Sequence, residues 1–184
     1  MNAGWISFIA APFGGKKAAK FQHIAAVEDR LFTAAVMHEI RWEDLGRVQI
    51  VSNDAHLRAS LADVLLDQRV EICFSHDLSG LENSNVVLMD IDSLGGIVRL
   101  IDQLLILRAQ NRNLIIILLS AEFFRDDFDT DRLAICDASL RLPFSFARLE
   151  QAFVEADKNN MVWQDQRVRP TLSRCTQPSQ AIAK

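Results

Sequence analysis

The sequence is short of the residues from which most metal centres and enzyme sites are built. It has three cysteines, Cys73, Cys136 and Cys175, far apart and in no metal-like spacing. An odd count with no framework argues against a disulfide-stapled secreted domain and for a reducing, cytoplasmic compartment. Cys73 and Cys136 lie in apolar runs and read as buried hydrophobes. Of the four histidines, His23, His56 and His76 have no ligand partner at helical spacing, so no metal site is expected. No glycine-rich nucleotide loop, Ser-His-Asp arrangement or internal repeat is recognisable. No lysine occurs between Lys20 and Lys158, which leaves the middle of the chain without a side-chain amine. The apolar run Trp5 to Phe13 is too short to span a bilayer, which takes roughly 20 residues, and has no positive region before it. Neither a transmembrane segment nor a signal peptide is expected.

What is present suffices for one folded domain with an extension at each end: 184 residues, 49% hydrophobic and 24% charged. The charge is uneven. Residues 47–156 carry ten arginines against 17 carboxylates, a net −7, while residues 157–184 carry +3. An acidic body does not attract nucleic acid, and none is expected as a partner.

Residues Lys16 to Trp42 read as one helix, because Phe21, Ile24, Val27, Leu31, Ala34, Ala35 and His38 recur mostly at spacings of three and four. Gly46 marks its stop. At 27 residues it either lies along the body or pairs with a copy of itself. Strands then alternate with helices. The strands are Val48–Val51, Val70–Phe74, Val86–Met89, Leu114–Leu119 and Ala138–Leu142, the fourth being the most hydrophobic and read as central. Helices are expected at 55–66 behind the N-cap Asp54, at 97–108, at 122–135, and from the cap Ser145 to about Ala156. The stretch 75–85 is expected to hold a short helix or none. The pattern predicts an α/β fold, a doubly wound five-stranded parallel sheet with an N-terminal helical extension (1–46), a body (47–156) and a flexible tail (157–184). Trp163, flanked by Arg167 and Arg169 in that tail, is a candidate recognition anchor. The acidic run Glu122 to Asp131 reads as a solvated helix face or a docking surface for a basic partner.

In such a sheet the functional groups gather at the carboxyl ends of the strands. Those ends carry Ser52-Asn53-Asp54, Asp90-Ile91-Asp92, Ser120-Ala121 and Leu142-Pro143. In order and spacing, residues 47–156 resemble the receiver domain of bacterial response regulators. The resemblance implies a receiver or flavodoxin-like fold in which Asp90 is the phosphoacceptor equivalent. It places Ser120-Ala121 at the phosphoryl-binding end of the fourth strand, and Pro143 after a cis peptide bond. It also exposes departures. The acidic pair that holds Mg²⁺ in the family is Ser52 and Asn53 here, the phosphate-pairing lysine is Leu142, and the switch aromatic is Ser139. Asp54 and Asp92 lie nearby, but neither matches a family ligand; with Asp90 they offer only a weak metal possibility, and Mg²⁺ is expected only if Asp90 is phosphorylated.

Phe32 to Arg41, with His38-Glu39-Ile40-Arg41, is similar to the H-box of sensor histidine kinases. The match implies His38 as a phosphodonor, with Glu39 as its acid/base neighbour. It then fails at Trp42-Glu43, and no ATP-binding domain follows. The reading is a degenerate receiver that acts without catalysis, by protein contacts, in two-component-type signalling. It would be a homodimer through its N-terminal helix, and its partner a histidine kinase or another response regulator. The alternative is phosphotransfer through Asp90, with His38 or a separate kinase as donor. A flavodoxin-like small-molecule binder is the third reading.

Overall fold

A computed structural model describes residues 42–175. The H-box-like run with His38, and the helix predicted over 16–42 except its last residue, lie outside the described residues.

Five strands, β1 (Arg47–Val51), β2 (Glu71–Ser75), β3 (Val86–Asp90), β4 (Ile115–Ser120) and β5 (Ala138–Arg141), form one parallel sheet in the order β2-β1-β3-β4-β5. This is the doubly wound order of flavodoxin and CheY. The most hydrophobic strand, β4, is interior, but β3 takes the middle place. Successive strand residues point to opposite faces. Val86 and Leu88 therefore join one core with Leu61 and Leu65 of α1 (Ala55–Leu66) and Leu149 and Phe153 of α3 (Phe146–Cys175). Val87 and Met89 join the other with Leu100, Leu104 and Leu107 of α2 (Ile97–Gln110). Burial on both faces is why β3 and β4 are apolar up to their last residues, Asp90 and Ser120. Trp42 stacks on Phe146 with ring centroids 5.8 Å apart and meets Phe153 edge-on at 5.4 Å, tying the start of the described chain to the first of these cores. Gly46 has φ +63°, and a Cβ there would come within 2.5 Å of the Asn85 amide oxygen, which accepts the Arg47 N–H.

Three expectations are corrected. Residues 122–135 are not a helix; only Thr130–Arg132 makes a 3₁₀ turn. Asp127 exchanges both backbone hydrogen bonds with Ser139, at 2.8 Å each, so the segment pairs with the outer edge of β5. Its aspartates serve turns and local pairs: Asp127 Oδ1 accepts the Asp129 N–H, Asp127 pairs with Arg132, and Asp126 with Arg148. Secondly, the final helix does not stop near Ala156. It runs to Cys175, so most of the expected flexible tail is helix. Thirdly, Trp163 is no free anchor. The guanidinium groups of Arg108 and Arg167 lie over its ring, 5.2 and 5.1 Å from its centroid.

The helix continues because its inner face finds polar partners at the amino-terminal end of the sheet. Arg108 and Asp137 are both fully buried and form a bidentate ion pair. Asp137 Oδ2 also accepts the Ile116 N–H at 2.8 Å, and Arg108 donates to the Leu133 and Leu114 carbonyls. Asn159 donates to the carbonyls of Phe128 and Asp137, and Asn160 to that of Leu114. Burial pushes the Asp137 carboxyl above its ordinary range, and the Arg108 guanidinium draws it part of the way back.

Cys136 is buried as expected, but Cys73, on the edge strand β2, is only half buried. Burial pushes the Cys136 thiol up to about 12. The thiolate is the reactive form. Iodoacetamide at mildly alkaline pH is therefore expected to leave Cys136 unmodified in the native protein and to label it after unfolding. Native labelling seen by peptide mapping would contradict its burial.

Candidate functional site

The crevice of this fold opens where strand order reverses, between β1 and β3. Val51 pairs with Met89, so Ser52 and Asp90 emerge next to each other. Both are buried, at 0% and 3% exposure. The Ser52 hydroxyl donates to Asp90 Oδ2 at 2.6 Å and accepts the Asp54 N–H at 2.9 Å. Asp90 Oδ1 accepts the Ser93 N–H at 3.4 Å. The Ser93 hydroxyl donates to the Asp90 carbonyl at 3.2 Å and accepts the Asn53 N–H at 2.9 Å, while Asn53 Nδ2 donates to the Ser93 carbonyl at 3.2 Å. Ser52 and Ser93 thus hold the carboxylate with neutral hydrogen-bonding groups, and Asn53 braces Ser93. Two further carboxylates at positions 52 and 53 would repel Asp90 and call for a cation; the Ser52 hydroxyl and the Ser93 N–H satisfy it without one.

The neighbouring aspartates are committed elsewhere. Asp54 caps α1, its Oδ1 accepting the His56 and Leu57 N–H groups at 2.8 and 3.1 Å. Asp54→Ala is expected to cost about 1 kcal/mol, read as a lowered urea midpoint at unchanged slope. An unchanged midpoint would show the cap to be dispensable. Asp92 reaches across to β4, where its oxygens accept the Ser120 hydroxyl at 2.5 Å and the Ala121 N–H at 2.7 Å. The Ser120 hydroxyl also accepts the Glu122 N–H at 3.0 Å, so it faces Asp92 and its own loop.

On the fifth strand, the Leu142–Pro143 peptide is cis and the Leu142 N–H donates to the Ser120 carbonyl at 2.8 Å. The partly buried Leu142 side chain packs against the α1–α3 core, so a hydrocarbon occupies the lysine position. Ser139, at the switch position, is 1% exposed and held in the bridge to Asp127. Two participants escaped sequence reasoning. Ser93 closes the ring around Asp90. Arg58 donates to the Ser52 carbonyl at 2.8 Å and lies 2.8 Å from His76 Nδ1. Its only signal was its place four residues after the cap, on the same face of α1.

The resemblance implies magnesium, and these residues do not fit it. Mg²⁺ wants an octahedron of hard oxygens, usually with one or two carboxylates free to reach it. Both oxygens of Asp90 and Asp92 already accept hydrogen bonds, Asp54 faces its helix, and positions 52 and 53 supply no carboxylate. Among the described residues, no group of three or more His, Cys, Asp or Glu converges as metal ligands would. No helix among them is long and apolar enough to cross a membrane.

No protein-family model matches the chain, and no curated protein matches it either. Solved structures do. A pilus assembly-related protein from Burkholderia pseudomallei is 17% identical, with 66% of this chain and 96% of that chain covered and a TM-score of 0.48. A CheY-like response regulator receiver domain protein from Methanospirillum hungatei is 22% identical, with 66% and 97% covered and a TM-score of 0.41. The anti-anti-sigma factor PhyR from Bartonella quintana is 13% identical, with 94% and 68% covered and a TM-score of 0.40.

Proposed function

We propose that this chain is a non-catalytic signalling module of the cytoplasm that works by protein contact and does not carry phosphate. The observation that supports this is the neutral ring around Asp90. Phosphoryl transfer is mostly positioning and charge neutralisation. Here the acceptor carboxylate is buried and hydrogen-bonded through both oxygens, with Leu142 at the place of the amine. A second support lies on α2, whose outer side carries Val98, Ile101 and Leu105, 87%, 42% and 44% exposed at helical spacing. A solvated helix face is normally polar, and contiguous apolar surface marks contact with another macromolecule. The partner of this reading is a histidine kinase or another response regulator, and the N-terminal segment is the seam of a homodimer.

Asp90→Asn tests the reading, because the amide oxygen still accepts from Ser52 but the side chain takes no phosphate. Introduced into the native gene, it is expected to leave the phenotype of the parent strain. A phenotype matching the deletion, with the variant folded and present at normal level, would favour the phosphotransfer alternative.

A further inference from the structure

A pocket of about 190 Å³ lies between the turn after α2 and the helical extension of α3, lined by Arg112, Asn113, Trp163, Gln164 and Arg167. It is at the amino-terminal end of β4, remote from the crevice that holds Asp90. Two arginines line it and no acidic residue does. Four arginines elsewhere in the fold are paired with carboxylates: Arg47 with Glu71, Arg108 with Asp137, Arg132 with Asp127 and Arg148 with Asp126. Arg112 and Arg167 have no such match among the described residues.

Arg167 is nevertheless held in place. It lies over the Trp163 ring and donates to the Arg108 carbonyl at 3.4 Å, so only part of its donor set is used. Gln164 is anchored through Nε2 to the Asn160 oxygen at 2.6 Å. Arg108 also lies over the indole, 5.2 Å from its centroid. The indole N–H of Trp163 is buried with no hydrogen-bond acceptor. Two arginines beside an amide and an unpartnered indole N–H are the chemistry that captures an oxyanion of two charges. At about 30 Å³ per water, the pocket has room for a phosphate and a small carrier.

We propose that this pocket binds the phosphate group of a small molecule through Arg112 and Arg167. The site is independent of Asp90 and of the reading above; phosphate is held here as a ligand and not transferred.

The test is a titration of the full chain with inorganic phosphate, and separately with glycerol 3-phosphate, at constant ionic strength set with chloride. The readout is the Trp163 indole N–H resonance, assigned with Trp163→Phe. A saturable shift is expected with at least one phosphate compound and not with chloride. Arg112→Gln and Arg167→Gln should each weaken it about tenfold or more, the loss of one charge-assisted bond. Tighter binding of glycerol 3-phosphate identifies a phosphomonoester as the ligand; equal binding identifies inorganic phosphate. Arg112 is exposed in a turn, so its variant keeps the fold, which circular dichroism checks. No shift at tens of millimolar, an equal shift with chloride, or a shift that survives both substitutions together would overturn the proposal.

Discussion

Replacing Asp137 by alanine is expected to remove about 3–5 kcal/mol of stability, a large part of the 5–15 kcal/mol of an ordinary domain. The reason is what it leaves behind. Arg108 is 0% exposed, and its guanidinium has Asp137 as its carboxylate partner. Without Asp137, that charge stays buried against two carbonyls, and the Ile116 N–H and one Asn160 contact lose their acceptor. The lower half of α3 should loosen in the same step, because Asn159 and Asn160 bind this corner and Trp163 rests on Arg108. The paired variant Arg108→Met with Asp137→Leu should be much milder than Asp137→Ala alone. Apolar residues of similar volume replace a buried ion pair at little cost, whereas half a pair is expensive. Urea unfolding followed by circular dichroism measures both. A loss under 1 kcal/mol for Asp137→Ala would mean that the pair is not sealed from water.

Supplying the missing charges should convert the crevice. A chain carrying Ser52→Asp, Asn53→Asp and Leu142→Lys is expected to accept phosphate at Asp90 from acetyl phosphate and Mg²⁺ at least about a hundredfold faster than the parent, since one well-placed electrostatic group is worth that much. The same chain without metal should be less stable than the parent, because three carboxylates then crowd one crevice and an amine enters an apolar contact. Its melting temperature should therefore rise with added Mg²⁺, as binding to the folded state alone requires. The parent's should not. A variant as inert as the parent would place the deficit elsewhere, in the Ser120 hydroxyl that Asp92 holds.

The strands and α1 were legible in the sequence because each is fixed by one signal that nothing contests. Apolar runs of four to six residues between turn residues gave all five strands to within a residue or two, and Asp54 gave the start of α1 at Ala55. The segment after β4 misled because its aspartates look like a helix face, whereas two of them make tertiary contacts invisible to periodicity: Asp126 with Arg141 and Arg148, Asp127 with Ser139 and Arg132. The end of α3 misled for the converse reason. Asn159 and Asn160 are poor helix formers read one at a time, but they are buried and hydrogen-bonded to the carbonyls just before β5 and β4. At the crevice, sequence and resemblance gave which residues meet. They could not give their orientation: that Ser52 donates to Asp90, that Asp92 takes Ser120, or that Ser93 closes the ring.

Asp90 in the unaltered chain is expected to be chemically inert toward phosphoryl donors. Intact mass after incubation with acetyl phosphate and Mg²⁺, with beryllofluoride titration followed by amide NMR on the same sample, measures it. The expected result is no phosphoryl adduct and no shift at Ser52, Asp90 or Ser120. A stoichiometric adduct that disappears in Asp90→Asn would contradict the account.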